Sequence, residues 1–281
     1  MVDHHPRFSP EPFPAEGRVA CRVEYDGSAY KGWQLQPEAS APTVQGELER
    51  ALSGVADRQV RVHCAGRTDA GVHGHAQIVH FDPGVSRSAK SWVMGTNGQL
   101  PRDIRVHWAE RVPQTFHARY SALSRCYRYL IANTAVRPAV LARQLSWHRH
   151  PLDAERMHEA AQHLLGEQDF SAFRASTCQS SSPMRHVSEV KVSRADSVVV
   201  IEISANAFLH HMVRNIAGSL MAVGSGRQEP EWIVALLASR DRRLAADTAP
   251  ADGLYLVDVV YPAEFGLPPT PKGLLDGMLQ R

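Results

Sequence analysis

The stretch CAGRTDAGVHGHAQIVHFD, residues Cys64–Asp82, places one carboxylate in a basic, glycine-flanked loop between two strand-like segments. Asp69 is the only acidic residue between Arg58 and Phe81, a range that also contains three arginines and four histidines. The pattern of this stretch predicts a strand over Val72–Phe81, directly after the loop. Further strand and helix patterns extend from this strand–loop–strand connection in both directions along the chain.

The loop combines features that hold a carboxylate in its charged form. Gly66 and Gly71 allow backbone angles that other residues resist, so the loop can point one side chain away from the strands. Arg67 favours the ionised form of Asp69, because a nearby opposite charge stabilises a carboxylate. Such a carboxylate is a candidate nucleophile. The residues alone leave a second interpretation open, since an aspartate in a glycine-rich turn commonly forms an Asx turn.

Each half of the chain shows strand and helix patterns in the order β-α-β-β-α-β. In the first half we expect a strand over Arg18–Tyr25, a helix over Val44–Val55, strands over Val60–Cys64 and Val72–Phe81, a helix over Ser86–Thr96, and a strand in which Ile104, Val106 and Trp108 alternate. In the second half we expect strands over Ser124–Ala132, Val187–Arg194, Ser197–Ser204 and Leu254–Tyr261. A helix capped by Asp153, with Met157, Ala161 and Leu164 on one face, should follow the first of these strands. Two more helices should precede the last strand, one marked by Phe208, Met212, Ile216 and Val223, and a further one near Glu229 with Pro230 in its first turn.

The repeated pattern predicts an α+β protein with two related, ferredoxin-like halves, each with helices on one face of an antiparallel-rich sheet. Two such sheets side by side would form a broad floor, and a central basic cleft between the halves is the expected binding site. The predicted organisation is a disordered tail at 1–17, an N-terminal catalytic half at 18–113 that carries the GRTD loop, a C-terminal half at 114–265, and a C-terminal tail at 266–281.

The composition limits the class of protein. The hydrophobic fraction of 43% is enough for a substantial core, and no apolar run is long enough to cross a bilayer. The first residues, MVDHHPRFSPEPFPAEGR, lack the apolar segment of a signal peptide. Cys21, Cys64, Cys126 and Cys178 are scattered, which argues against a zinc ribbon and against a disulfide framework. We therefore expect a soluble cytoplasmic protein without a membrane partner.

The net charge of +2 conceals an uneven distribution of charge along the chain. Arg111–Leu152 contains seven arginines and no acidic residue, and Phe170–Ser188 and Ile203–Gln228 are also free of acidic residues. The acidic residues gather in Asp153–Asp169 and Glu229–Asp258. Such segregation favours a basic face that binds a polyanion such as nucleic acid. The alternative is chance clustering in an arginine-rich composition.

Seven segments of the chain resemble those of the tRNA pseudouridine synthase A family. GRTDAGVH, which contains Asp69, is similar to the family signature, and six further segments match in the family's order. They are EYDGSAYKGWQ, FHARYSA, RCYRYLI, LLGEQDFSAFR, NAFLHHMVRNIAGSLMAVG and GLYLVDVVYP. The resemblance extends from about Val19 to Pro262.

The resemblance implies an isomerase with the pseudouridine synthase fold, which converts uridine to pseudouridine at positions 38, 39 and 40 of the tRNA anticodon stem-loop. It also implies flipping of the target base, a homodimer, and no metal or other cofactor. Asp69 matches the family's nucleophile. The residues that match substrate-binding positions are Arg67, Arg119, Tyr127 and Leu254. The further expected tRNA contacts are Phe116, His117, Ala118, Tyr120, Arg125, Cys178, Gln179 and Ser180.

The implied reaction breaks the C1′–N1 bond of uridine, turns the uracil and joins its C5 to C1′. Asp69 would start it by attack at C1′ or by assisting departure to a glycal, and the sequence leaves both routes open. Tyr127 matches a position for proton transfer or stacking, although a phenol with a pKa of about 10 is a poor base unless perturbed. Ser181 stands where family members carry an arginine after CQS, so one phosphate contact is expected to be missing.

Two other functions are compatible with parts of the sequence. His73, His75 and His80, with Asp69 or Asp82, suggest a metallohydrolase, but no HExxH or comparable ligand pattern is present. A non-catalytic RNA-binding module is the second alternative, and the presence of Asp69 argues against it. Replacing Asp69 separates these cases, since a catalyst loses turnover whereas a pure binder keeps its RNA affinity.

Overall fold

The computed structural model describes residues 8–36 and 41–271, and contacts divide them into two units. Unit 1 contains the described residues up to Leu123 together with Val259–Thr270, and unit 2 contains Ser124–Asp258. The mixed helix and strand content predicted from the sequence is confirmed. Among the described residues, no helix combines the length and the apolar character needed to span a membrane.

In unit 1 the strand Arg18–Tyr25 lies between two antiparallel neighbours. The elements are β1 Pro12–Phe13, β2 Arg18–Tyr25, α1 Val44–Ala56, β3 His63–Cys64, β4 His73–Phe81, β5 Arg87–Ser88, a π-helical turn Ser91–Gly95 followed by α2 Thr96–Gln99, and β6 Ile104–Val112. Strand β2 lies between β4 and β6 and is antiparallel to both. Strand β3 extends the other edge of β4, and β1 pairs with β5.

The core of unit 1 forms where the alternating face of β2 meets the apolar face of α1. The buried residues of this cluster include Val19, Cys21, Val23 and Tyr25 of β2, Leu48 and Leu52 of α1, and Phe81 and Trp92. Helix α1 begins at its predicted residue because Thr43 accepts a hydrogen bond from the Gly46 N–H. It ends at Asp57, which takes a left-handed conformation with φ 53°.

In unit 2 the strands lie side by side in the order Leu254–Val260, Ser124–Asn133, Val198–Ala205, Met184–Ala195 and Gly166–Asp169. The elements are β7 Ser124–Asn133, β8 Ser146–His148, α3 Ala154–Gln162, β9 Gly166–Asp169, β10 Met184–Ala195, β11 Val198–Ala205, α4 Met212–Gly224, α5 Trp232–Ser239 and β12 Leu254–Val260. The pairs β7–β11, β11–β10 and β10–β9 are antiparallel, and β8 adds to β7 in parallel.

The predicted start of α3 is confirmed. The Asp153 carboxylate accepts hydrogen bonds from the N–H groups of Glu155 and Arg156, each at 3.0 Å. Met157 and Ala161, which the prediction placed on the apolar face of this helix, are fully buried, and Leu164 is buried two residues beyond the end of the helix. Helix α4 is buried along nearly its whole length, which explains why most of its residues are apolar.

The predicted alternation of β6 is wrong at Trp108. Val23 of β2 pairs with Val106 of β6, and the neighbouring Arg22 pairs with Trp108. His107 between them has no opposite residue in β2, so it is an extra residue in β6. A bulge of this kind reverses which face the following residues occupy. Ile104, Val106 and Ala109 are therefore buried, whereas Trp108 is partly exposed. The sequence pattern alone does not contain this shift, because the bulge arises from pairing with β2.

Part of the predicted N-terminal tail is ordered. Phe13 in β1 pairs with Arg87 in β5, and Phe8 and Phe13 pack against the core of unit 1. The same pairing explains why the helix predicted from Ser86 begins later, since Arg87 and Ser88 are in a strand. Residues 1–7 and 272–281 of the predicted tails lie outside the described residues.

Four further boundaries differ from the expected ones. Helix α4 begins at Met212, so Phe208 lies in the preceding segment, and α5 begins at Trp232, with Pro230 in the turn before it. The strand expected over Val60–Cys64 is limited to its last two residues, which pair with β4. The contact units divide after Leu123, ten residues beyond the boundary expected near residue 113.

Candidate active site

Asp69 lies in unit 1, in the loop between β3 and β4, and its side chain is partly exposed. The loop contains no helix or strand, so its backbone polar groups must find partners elsewhere. The Val72 N–H donates to the Asp69 carbonyl at 3.1 Å, and the Gly71 N–H donates to the Tyr30 carbonyl at 3.4 Å. The backbone on the C-terminal side of Asp69 is thus held by two hydrogen bonds.

Thr68, the residue before Asp69, is held through both its backbone and its side chain. The Trp33 N–H donates to the Thr68 carbonyl at 2.9 Å. The hydroxyls of Tyr25 and Thr68 lie 2.8 Å apart in a buried hydrogen bond. Burial raises the pKa of Tyr25, so this phenol stays protonated, and its ring packs 5.9 Å from that of Trp33. Rigid aromatic residues therefore fix the N-terminal side of Asp69.

Gln77 anchors the start of the loop from the middle of β4. Its Oε1 accepts from the Ala65 N–H at 3.1 Å and the Gly66 N–H at 3.4 Å, and its Nε2 donates to the Gly66 carbonyl at 2.6 Å. The side chain is fully buried. Because a buried amide must be paired, these bonds fix both Gln77 and the loop entrance.

The segment after β2 approaches the Asp69 side of the loop closely at Gly32. This residue has φ +84°, and a Cβ atom there would lie 2.7 Å from the Thr68 carbonyl oxygen and 3.0 Å from the Ala70 nitrogen. Only glycine satisfies both the backbone angle and the lack of space. The segment after β2 therefore forms one wall of the loop that carries Asp69.

The two predicted arginines of unit 1 share an electrostatic environment. Burial raises the pKa of the Cys64 thiol to about 12, and Arg67 and Arg119 oppose this effect. Both guanidinium groups therefore act on the residue that begins the Asp69 loop. Each arginine is exposed. Their positive charge attracts phosphate.

The FHAR segment presents only some of its predicted tRNA contacts to solvent. Phe116 and Ala118 are fully buried, with Phe116 packed 5.1 Å from the ring of Tyr261. Tyr120 is 75% exposed, its ring lies 4.4 Å from that of His117, and the Arg119 guanidinium lies 5.5 Å from its centroid. In this segment a base can thus reach His117, Arg119 and Tyr120, whereas Phe116 and Ala118 support them.

Tyr127 and Leu254 lie in unit 2, on strands β7 and β12, which are neighbours in its sheet. Tyr127 is buried, and the ring of Phe208 meets its own edge-to-face at 5.0 Å. Leu254 is the first residue of β12 and is also buried. Phe208 did not belong to the predicted site, and its only sequence signal was its membership of the NAFLHHM segment.

Arg125, a predicted tRNA contact, is buried in unit 2 and donates to the Asn206 carbonyl at 2.8 Å. Arg128 in the same strand forms an ion pair with Glu202, with 2.9 Å between Nε and Oε2. Arg125 and Arg128 belong to Arg111–Leu152, the acid-free segment with seven arginines. This acid-free segment therefore contains two kinds of arginine. Arg125 and Arg128 have structural partners within the unit, whereas Arg149 is exposed.

Arg174 shapes the loop that contains the predicted contacts Cys178, Gln179 and Ser180. Its guanidinium donates to the carbonyls of Cys178 at 2.8 Å and Ser180 at 2.7 Å. Burial alone would raise the pKa of Cys178, but the N–H groups of His210 and Ser180 and the charge of Arg174 together lower it. Gln179 is exposed at the tip of this loop.

The histidines considered as metal ligands have separate environments. His73 Nδ1 lies 3.1 Å from the Gly27 N–H, His75 Nδ1 lies 3.8 Å from a Glu24 oxygen, and His80 Nδ1 accepts from the Ala118 N–H. Three histidines that point to different partners along β4 do not form one metal site. This arrangement favours packing and positioning roles for them.

Several residues of the site were not predicted from the sequence. They are Tyr25, Gly32, Trp33 and Gln77 around the loop and His80 and Tyr261 around the FHAR segment. A signal existed for Gln77 and His80, because each interrupts the apolar run AQIVHF. A polar residue within a fully buried strand requires a specific partner.

Comparison with known proteins identifies the family. A family model described as tRNA pseudouridine synthase matches residues 21–121 and 160–262. A protein named tRNA pseudouridine synthase A from Vibrio campbellii is 56% identical over 258 residues, which cover 92% of this chain and 97% of the relative. Proteins of that name from Aliivibrio fischeri and Vibrio cholerae are 55% and 57% identical, with 92% of this chain and 98% and 97% of the relatives covered. The chain belongs to the tRNA pseudouridine synthase family.

Proposed function

We propose that this protein isomerises uridine to pseudouridine at positions 38, 39 and 40 of the tRNA anticodon stem-loop, with Asp69 as the nucleophile. Family membership supports the isomerisation of tRNA uridine. The observation that carries the assignment of Asp69 is the construction of its loop. The residues on both sides of this partly exposed carboxylate are held by hydrogen bonds to Tyr25, Trp33 and Tyr30. A nucleophile needs such a fixed, accessible position.

The proposed reaction conserves all atoms of the nucleotide. The Asp69 carboxylate attacks C1′ as the C1′–N1 bond breaks, and the electron pair leaves with the uracil. The uracil turns, C5 bonds to C1′, and the carboxylate is released. The proton on C5 then departs and N1 gains a proton. No water is incorporated, so the site has to bind the detached uracil until it bonds again.

The arginines of unit 1 have a proposed role before the chemical step. A paired base must leave its stack at a cost of a few kcal/mol, which new contacts must offset. Arg67 and Arg119 are exposed and carry permanent charge, which suits insertion into the vacated stack and contact with the phosphates. The rings of His117, which is partly exposed, and of Tyr120 are accessible for stacking. We propose that Tyr127 and Leu254 contact the target uracil.

Other proposed properties concern assembly and architecture. We propose a homodimer, which predicts a mass in solution of twice the 31.1 kDa chain. A mass of one chain by light scattering at micromolar concentration would contradict it. We also propose that the two halves are ferredoxin-like. In support, β2, β3, β4 and β6 of unit 1 occupy the sheet order β6-β2-β4-β3, and the corresponding strands of unit 2 occupy β12-β7-β11-β10.

Tritium release from tRNA labelled at C5 of uridine tests the activity directly. We would compare the wild type, Asp69→Ala and Asp69→Asn in the presence of EDTA. Asp57→Asn is a matched control, because Asp57 is an exposed carboxylate at the end of α1 whose left-handed conformation asparagine tolerates. Transcripts with a single uridine at position 38, 39 or 40 separate the three sites.

We expect release by the wild type and Asp57→Asn, and none by either Asp69 variant. Both Asp69 variants should bind tRNA within about tenfold of the wild type, because most of the binding energy comes from phosphate contacts. Turnover at the wild-type rate in Asp69→Asn would refute the nucleophile assignment. Tight binding without release by the wild type would instead indicate an RNA-binding module or another substrate.

A further inference from the structure

Arg119 lies in a segment whose backbone has no regular secondary structure. Residues 116–121 connect β6 to β7 through turns. Within the segment, the Ser121 N–H donates to the His117 carbonyl at 2.8 Å, and the Arg119 N–H donates to His117 Nδ1 at 3.1 Å. These local bonds give the turn its shape, but they do not attach it to the rest of unit 1.

His80 provides an attachment next to Arg119. The Ala118 N–H donates to His80 Nδ1 at 3.0 Å, in a buried hydrogen bond. His80 is 2% exposed, and it belongs to β4, the strand that directly follows the Asp69 loop. Ala118, the residue that precedes Arg119, is therefore connected to the same strand that anchors the loop of the proposed nucleophile.

The His80 ring has little freedom to leave this position. It stacks on His63 with 5.0 Å between centroids and 17° between planes. The ring of His117 meets it edge-on at 4.6 Å, and that of Phe116 does so at 5.9 Å. Aromatic contacts on several sides thus fix the direction of the Nδ1 lone pair.

The protonation state of His80 suits an acceptor. Burial lowers its pKa to about 3, and the charge of Arg18 adds to this effect together with His117 and His63, while Asp82 opposes it. A neutral imidazole that accepts a hydrogen bond at Nδ1 carries its own proton on Nε2. The acceptor is therefore present throughout the neutral pH range.

The same residue, Ala118, is also held at its carbonyl. The Tyr261 hydroxyl donates to the Ala118 carbonyl at 2.6 Å. Arg18, which is paired with Asp82, donates to the Phe116 carbonyl at 2.7 Å. The residue before Arg119 thus has both its N–H and its C=O bound to side chains that are distant in the sequence.

We propose that His80 is a positioning residue that sets the location of Arg119 by accepting the hydrogen bond from the Ala118 N–H. This inference rests on the proposed function, in which Arg119 acts on the stacked substrate. His80 itself does not touch the substrate in this proposal. Loss of the acceptor displaces the turn, and displacements of about 1 Å can lower turnover by up to about 100-fold.

Two substitutions separate the hydrogen bond from the ring. His80→Phe keeps an aromatic ring against His63 but removes the acceptor. His80→Asn loses the ring but places an oxygen near the position of Nδ1. We expect His80→Phe to lower kcat about 10- to 100-fold with KM for tRNA within about threefold. His80→Asn should recover most of the lost kcat. The reverse order, with Asn less active than Phe, would overturn the proposal in favour of ring packing.

A double-mutant cycle with Arg119→Ala identifies the residue through which His80 acts. If His80 only positions Arg119, adding His80→Phe to Arg119→Ala should lower kcat by less than about twofold further. Multiplication of the two separate effects would overturn the proposal. If Arg119→Ala itself turns over like the wild type, the role of Arg119 in the proposed function fails, and the inference fails with it.

Tyr261→Phe tests the attachment of Ala118 independently of His80, so the proposal stays testable if the His80 variants misfold. This change keeps the ring against Phe116 and removes only the hydroxyl that holds the Ala118 carbonyl. We expect a smaller loss of kcat, about 3- to 10-fold, which also vanishes in the Arg119→Ala background. Thermal unfolding of each variant accompanies the kinetics. A loss of kcat that follows the loss of stability in every variant, independent of Arg119, would overturn the proposal.

Discussion

The hydroxyl of Tyr25 lies 2.8 Å from Oγ1 of Thr68, although the two residues are 43 positions apart in the sequence. Tyr25 ends β2, and Thr68 directly precedes Asp69. This bond connects the core of unit 1 to the loop that carries the proposed nucleophile. The precision of the site thus depends on a residue that takes no part in the chemistry.

Tyr25→Phe tests this connection with the smallest possible change. The ring remains packed near Trp33, and only the hydroxyl is removed. We expect a loss of about 1 kcal/mol in the free energy of unfolding, because one buried hydrogen bond is lost. Turnover should fall about 3- to 30-fold with tRNA affinity unchanged. Urea unfolding and tritium release measure the two effects, and unchanged turnover at reduced stability would show that the bond does not position Asp69.

Gly32→Ala should damage both stability and activity. The backbone has φ +84° there, and the added methyl group would clash with the Thr68 carbonyl and the Ala70 nitrogen. We expect a loss of about 2 kcal/mol or more in the free energy of unfolding, together with a large loss of turnover.

Gly98→Ala is the matched control for that substitution. Gly98 lies in α2, and no atom lies within 4 Å of the position of its added Cβ. Alanine should therefore leave turnover unchanged and stabilise the protein by up to about 1 kcal/mol. Equal thermal stabilities of the two variants would contradict the proposed close approach at Gly32.

Glu24 makes the stability of unit 1 depend on pH. Burial opposes its ionisation, but hydrogen bonds from His107 and His75 outweigh this and hold the pKa of Glu24 well below its usual range. A carboxylate with a depressed folded-state pKa stabilises the protein above the unfolded-state pKa of about 4.3. That contribution is lost as the pH falls from there through the folded-state pKa.

Urea midpoints of the wild type and Glu24→Gln at about pH 6 and about pH 3 test this dependence. We expect the wild type to be more stable than Glu24→Gln at the higher pH. The difference in stability between the two proteins should shrink at the lower pH. His107→Phe should reduce the same pH trend, since it removes one of the hydrogen bonds that lower the pKa of Glu24. A difference between wild type and Glu24→Gln that is constant with pH would exclude this role.

The exposed arginines of the acid-free segment should determine the salt dependence of tRNA binding. If about six phosphates are neutralised, the slope of log affinity against log salt is about −4 to −5. Arg149→Ala should reduce the magnitude of that slope by about one. Arg128→Ala should leave the slope unchanged, because Arg128 is paired with Glu202. Equal changes in slope for both variants, measured by filter binding, would disprove this division.

Local sequence patterns predicted the elements whose formation depends on nearby residues. Helix α1 begins after the Thr43 cap, and α3 begins after Asp153, because each cap bonds N–H groups two or three residues away. The strand pattern over Arg18–Tyr25 likewise predicted β2. The short GRTDAGVH segment was sufficient to single out Asp69 as the candidate nucleophile.

Contacts between distant segments explain where prediction from the sequence failed. The bulge at His107 exists only because β6 pairs with β2 in a shifted register, and it changes the face occupied by Trp108. The expected disorder before Arg18 was wrong for Phe13, whose strand depends on a distant partner, Arg87. The burial of Phe116 and Ala118 follows from packing against β4 and Tyr261, which no local pattern contains.

The sequence by itself determined the mixed helix and strand content, the family and the candidate nucleophile, because these depend on periodicity and on short motifs. The tertiary structure alone decided how Asp69 and Arg119 are held. Tyr25, Gln77 and His80 reach the two segments through hydrogen bonds between residues that are distant in sequence. A buried polar group must be satisfied, but which of many possible partners satisfies it is decided only when the strands are paired and packed.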